Sequence, residues 1–177
     1  MTLTFPSAGD VGRVVEVLLD KRIGFVECDA TPLGEGLHVA CLIDDEDQVV
    51  GAIAADLSAS IYLGGSLMML PPAACKDQLK SGEATENVVE ALTEVFNNIV
   101  TLVNQANGNP HVRVGEARRC NGSTETAWIQ APAARVDLRA DFPGFAPGVL
   151  TMLGRAPEPG AAVDAEERQP SDVDQDE

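Results

Sequence analysis

One stretch limits what this chain can fold into more than any other: Ser81 to Asn107, SGEATENVVEALTEVFNNIVTLVNQAN, which keeps a helical period throughout. At about 100° of turn per residue, Val88, Leu92, Val95, Ile99, Leu102 and Val103 share one face, with Val89 and Phe96 at its edge. That is the apolar stripe of a helix laid on a core. Ser81-Gly82 marks the entry with Thr85 as a candidate N-cap, and Glu83 and Glu86 sit near the positive end of the helix dipole. Asn107-Gly108-Asn109-Pro110 marks the exit, because glycine accepts a left-handed cap and proline cannot continue the helix.

The opposite face is less ordinary. Glu90, Glu94, Asn97, Thr101 and Asn104 follow one another at steps of four and three, so they form a nearly straight polar line along the outer surface. No lysine or arginine interrupts it. A solvated helix surface usually mixes signs and gains from pairs four residues apart, whereas this line offers carboxylates, amides and a hydroxyl only. Asparagine is also a poor helix former, yet Asn97, Asn98 and Asn104 all fall inside the periodic stretch.

The remaining segments read as its support. Ser7 to Arg22 predicts a first, shorter amphipathic helix, with Val11, Val14, Val15, Leu18 and Leu19 on one side and Gly12 weakening it. Gly24 to Cys28 reads as a short strand. Leu37 to Ile43 and Val49 to Leu57 read as a hairpin around Asp44-Asp45-Glu46-Asp47-Gln48. That acidic cluster lacks the spacing, glycine and closing glutamate of an EF-hand and is expected to be a solvated turn. Ser60 to Leu70 starts like a strand, and Gly64-Gly65 within it suits a bulge or close packing against a helix. Pro71-Pro72 opens a short helix over Ala73 to Lys80.

After Pro110 the pattern predicts strands at His111 to Cys120, Thr126 to Gln130, Arg135 to Ala140 and Val149 to Leu153, with turns at Asn121 to Thr124 and Phe142 to Gly148. Arg113, Arg118, Arg119, Arg135 and Arg139 concentrate positive charge here, where strands normally turn such residues to water. The order helix, strands, short helix, long helix, strands implies an α/β (α+β) fold. Its long helices would pack on an antiparallel β-sheet in two pseudo-equivalent helix-plus-sheet halves, beginning at Ser7 and Ser81.

Length and composition narrow the class. The 177 residues suit one domain, residues 1–154, followed by a tail, 155–177, made of Pro, Ala, Gly and acids and expected to be disordered. Aromatics are only 4% of the chain, so the core must be built from Val, Leu, Ile and Ala. The formal charge of −16 suits neither nucleic acid nor an anionic membrane surface. The start MTLTFPSAGD has no basic, apolar leader, and no run spans a bilayer, so a cytoplasmic protein is expected. Cys28, Cys41, Cys75 and Cys120 are widely spaced and read as small core residues, not zinc ligands or disulfides. The two histidines, His38 and His111, have no triad partner nearby in sequence, and no dinucleotide or metal motif is present. Any chemistry must come from carboxylates and amides. No cofactor or metal of its own is expected.

Ala91 to Val100, ALTEVFNNIV, resembles the signature helix of the CheC/CheX chemotaxis phosphatases, a family related in fold to FliM, whose mark is Glu-x-x-Asn on an exposed helical face. Here those residues are Glu94 and Asn97. The resemblance implies hydrolysis of the aspartyl-phosphate of a CheY-like response regulator in two-component signalling. Asn97 would position the attacking water, and Glu94 would hold a lysine of the regulator, whose own magnesium would serve the reaction. Glu90, Asn98, Thr101 and Asn104 would complete the partner-binding face. A homodimer is compatible with the same resemblance.

The chain departs from CheC in carrying no second signature. Glu16-Val17-Leu18-Leu19 has leucine where asparagine should be, which makes it more like CheX. It also has Glu90 where the extended signature has Asp or Ser, Cys120 where it has Pro, and Val100-Thr101-Leu102 in place of the usual glycine. The alternative is a non-catalytic CheC/FliM-like binding or flagellar-switch adaptor.

Overall fold

A computed structural model of the chain describes residues 2–34, 36–120 and 128–156. The acidic tail from residue 157 onward, the turn expected at Asn121 to Thr124, and the first residues of the strand expected at Thr126 to Gln130 lie outside these.

Four helices and seven strands follow in the order α1 (Ala8–Leu19), β1 (Gly24–Glu27), β2 (His38–Asp44), β3 (Val49–Ala55), α2 (Leu57–Leu67), α3 (Pro72–Ser81), α4 (Glu86–Gln105), β4 (Val112–Val114), β5 (Arg118–Arg119), β6 (Ala134–Asp141) and β7 (Gly148–Gly154). The strands form one sheet in the order β1-β6-β7-β3-β2-β4, with β5 also paired to β2. Every pairing is antiparallel.

This order carries the two halves expected from the sequence. Each half runs helix, edge strand, hairpin: α1, β1, β2 and β3 in the first, α4, β4, β6 and β7 in the second. The hairpins meet at the centre through β3 and β7, and the edge strands are exchanged, β1 lying on β6 and β4 on β2.

Helices α1, α2 and α4 share one large core with the sheet, including Val11, Val15, Leu63, Leu92, Phe96, Ile99, Ile53 and Leu138. Within α4, Phe96 and Val100 are buried, whereas Leu102 is only partly so. The stripe is centred nearer Phe96 than the periodicity alone predicts, because α4 packs on α1 and α2 as well as on β2 and β4. A second, smaller cluster covers the other face of the sheet with Ile129, Trp128, Leu33 and Leu37 over Ala52, Ala54 and Leu153. Residues 128–130 form a single 3₁₀ turn rather than the end of a strand.

The largest departure from expectation is α2. The stretch from Ser60 is not strand but the body of a helix, Leu57–Leu67, with Met68 to Leu70 following it, so β3 ends at Ala55. Residues Ala59 to Gly65 are all buried, and a helix buried all round shows no amphipathic period. Gly64 is there for contact. A Cβ at that position would stand 2.2 Å from the Val88 carbonyl oxygen, so the α2 and α4 backbones meet at a glycine.

Asp56 ties α2 to the sheet. Its carboxylate accepts from Ala59 N at 2.7 Å as N-cap and from Val149 N at 2.9 Å on β7. Burial holds its pKa above the ordinary carboxylate value in spite of these bonds. The acidic turn after β2 is organised by Asp44, whose Oδ1 accepts from Glu46 N at 3.0 Å and Gln48 N at 2.8 Å.

The expected strand from His111 to Cys120 is broken. β4 and β5 both pair with β2, and between them Ala117 N turns away to donate to Thr93 Oγ1 on α4 at 3.1 Å.

Candidate functional site

Helix α4 is 20 residues long and its N-cap position is Thr85, whose side chain makes no capping bond; Gln78 Oε1 accepts from Thr85 N at 2.9 Å instead. Seven buried residues hold its inner face, which fixes the direction of the outer one. Glu90 and Glu94 are exposed there and Asn97 is partly exposed. Asn97 Nδ2 lies 3.4 Å from Glu94 Oε1, so the amide leans toward the carboxylate one turn earlier. The amide oxygen of Asn97 has no partner among the described residues.

Asn98, beside the polar line, and Thr101 and Asn104 on it are occupied within the molecule. Asn98 Nδ2 donates to the Glu94 carbonyl at 2.8 Å, and Thr101 Oγ1 donates to the Asn98 carbonyl at 2.6 Å. Such bonds back to the preceding turn let polar residues sit inside a helix. Asn104 acts as a substitute strand residue: its Nδ2 donates to the Val112 carbonyl and its Oδ1 accepts from Val112 N, both at 2.9 Å. It pins α4 to β4.

Beside Glu90 and Glu94 lies a cavity of about 780 Å³ between the first half of α4 and the segment from Val114 to Arg119. His38, at the start of β2, forms part of its wall. The ring is 4% exposed, and its Nδ1 lies 2.9 Å from Ser60 Oγ on α2. Burial, and secondly the charge of Arg119, hold the His38 pKa below the usual imidazole value. The sequence offered no sign of this pairing, because 22 positions separate the partners and Ser60 sits in the helix that periodicity misses.

The arginines do not gather into a patch. Arg113 pairs with Asp47, Arg118 with Glu116, Arg119 with Glu83 and Arg139 with Asp141, all at exposed positions. Arg135 differs, because it meets Asp137, whose side chain is 3% exposed, through Nε at 2.6 Å and Nη2 at 2.8 Å. Thr31 and Thr151 donate to the same carboxylate. Burial opposes ionisation of Asp137, but the bonds from Arg135, Thr151 and Thr31 outweigh it and hold the pKa below the ordinary value.

Cys75 is buried, while Cys28, Cys41 and Cys120 are half-buried. Among the described residues, no three His, Cys, Asp or Glu side chains are grouped to hold a metal, and no helix is long and apolar enough to cross a membrane.

No family model and no curated protein matches the chain. Solved structures do. A FliM–SpeE complex from Helicobacter pylori contains a chain that aligns with a TM-score of 0.61 at 8% identity, over 84% of this chain and 81% of that one. Thermotoga maritima FliY aligns at 0.54 with 10% identity, over 83% of each chain. A CheX–CheY–BeF3–Mg2+ complex from Borrelia burgdorferi aligns at 0.52 with 15% identity, over 82% of this chain and 93% of that one. The chain therefore has a CheC/CheX/FliM-like fold. At these identities the likeness is one of fold.

Proposed function

We propose that this protein hydrolyses the aspartyl-phosphate of a CheY-like response regulator, using Asn97 and Glu94. One observation carries this reading. Among the amides and hydroxyls of this outer face, Asn98, Thr101 and Asn104 are tied to backbone of the chain itself, whereas Asn97 leans only on the exposed Glu94 carboxylate and keeps its oxygen unbonded at the surface. The same fold occurs in the CheX–CheY complex, which supports a regulator as the partner.

The chemistry asks little of this chain. An amide donates and accepts at once, so Asn97 can hold a water in line with phosphorus in the way the water-positioning glutamine of GTPases does. The water oxygen forms the new bond to phosphorus as the bond to the aspartate oxygen breaks. The aspartate leaves as a carboxylate that needs no protonation, and the water's proton passes to the phosphate. Glu94 would make a charge-assisted contact with a lysine of the regulator, and the magnesium would be held by the regulator. Exposed Glu90 would extend the contact face. Helix α1 adds no second site, since Glu16 is followed three residues later by buried Leu19.

The test is the lifetime of aspartyl-phosphate on a cognate regulator. Wild-type protein should shorten it, and Asn97→Ala should slow turnover on the order of 100-fold, as loss of one positioned polar group typically does. Equal rates for the two would eliminate hydrolysis. The second reading, a binding adaptor with no catalysis, is favoured by the likeness to the FliM chain of the FliM–SpeE complex and to FliY. It predicts capture of a partner on this face with no change in phosphate lifetime.

A further inference from the structure

The cavity beside α4 shares Glu94 with the proposed regulator contact, but it also has a group that phosphate hydrolysis does not use, His38. Ser60 Oγ lies 2.7 Å from the Asp56 carbonyl oxygen, a separation that places the hydroxyl proton between them. The same hydroxyl must then accept from His38, so Nδ1 carries the imidazole proton. Nε2 is left as a lone pair. It has no partner among the described residues and opens on the cavity, while the residue as a whole is 4% exposed.

The other walls point the same way. Glu83, Glu86, Glu90, Glu94 and Glu116 face two cations, Arg118 and Arg119. Those arginines are engaged with Glu116 at 2.7 Å and Glu83 at 3.4 Å, which leaves Glu86, Glu90 and Glu94 without an ion-pair partner among the described residues. With five carboxylates against two guanidinium groups, an anion would meet net repulsion here. A donor with positive charge meets three unpaired carboxylates and one fixed lone pair, and the Arg119 charge that acts on His38 is offset by Glu83.

We infer that this cavity is a binding site for a single alkyl-ammonium or guanidinium group, which donates to His38 Nε2 and is balanced by Glu90 and Glu94. Asn97 is not among its walls. The site stands whether or not the chain hydrolyses phosphate. The group can reach it on a free small molecule or on a basic side chain.

Calorimetric titration with agmatine and, separately, with N-acetyl-arginine methylamide tests the site and distinguishes the sources. Saturation by agmatine alone marks a small-molecule site, and saturation by both marks one that admits a side chain. Absence of saturable binding by either probe at millimolar concentration overturns the inference.

Two variants separate the acceptor from the packing of the ring. His38→Asn keeps a donor toward Ser60 but removes the acceptor facing the cavity, and should weaken binding about 10- to 100-fold, the worth of a hydrogen bond to a charged group. His38→Gln keeps an oxygen near the Nε2 position and should retain binding. A purely structural histidine would give the two variants equal affinities, which overturns the proposal. Should either variant fail to fold, Glu90→Gln combined with Glu94→Gln removes the counter-charge from the surface and should weaken binding to the same degree; unchanged affinity there also overturns it.

Discussion

Helices α1 and α4 open the two halves of the same architecture, yet only α4 turns a Glu-x-x-Asn pair outward. Both are amphipathic and both lie on the shared core, α1 through Val11, Val15 and Leu19, α4 through Leu92, Phe96, Ile99 and Val103. In α1 the position three residues after Glu16 belongs to the core. In α4 the position three residues after Glu94 reaches the surface as Asn97. Equivalent places in the two halves can therefore be spent on packing in one and left open to the surface in the other. What separates them is which residues each helix can spare from its core.

The sharpest way to break the comparison is to write the signature into the wrong helix. Leu19→Asn recreates Glu-x-x-Asn in α1, but it buries an amide where Leu19 is 7% exposed, and should cost about 4 kcal/mol in urea denaturation. No second site should appear in phosphate-lifetime assays. Gly64→Ala comes next. With a Cβ only 2.2 Å from the Val88 carbonyl, α2 and α4 must separate, at a cost of about 3 kcal/mol by the same measurement.

Asn104→Ala removes both bonds between α4 and β4 and leaves the Val112 backbone groups to find water. It should cost about 2 kcal/mol, with faster amide exchange at Val112 as its local sign. The smallest effect is of opposite sign. A Cβ at Gly12 in α1 meets nothing closer than 3.8 Å, so Gly12→Ala should stabilise the protein by about 0.7 kcal/mol, seen as a higher urea midpoint.

Much of this plan was legible in the sequence, and for a physical reason. α4 and the strand from Arg135 to Ala140 alternate apolar and polar residues at the period of their elements, and the β2–β3 hairpin is marked by two apolar runs around an acidic turn, so all three are written in the residue order. α2 is buried on every side, and its run of Ala, Ile, Tyr, Leu and Gly carries no period to read. Within the candidate site, Glu94 and Asn97 could be picked out because a helix fixes which of its residues are neighbours. The His38–Ser60 pair could not, since it depends on how β2 and α2 come together. Asn104 shows the same limit: its place on the polar line was clear, but its bonds to Val112 depend on where β4 lies. Asp137 is also buried through distant partners, since Thr31 and Thr151 join Arg135 around its carboxylate.

The exchange of β1 and β4 has a consequence for how the molecule comes apart. Each edge strand is clasped by the hairpin of the opposite half, so neither half owns a finished sheet. Pulling one away would strip an outer strand from both, and the protein must hold or fail as a unit. A cut in the exposed link around Met69, between α2 and α3, would leave two pieces still interlocked.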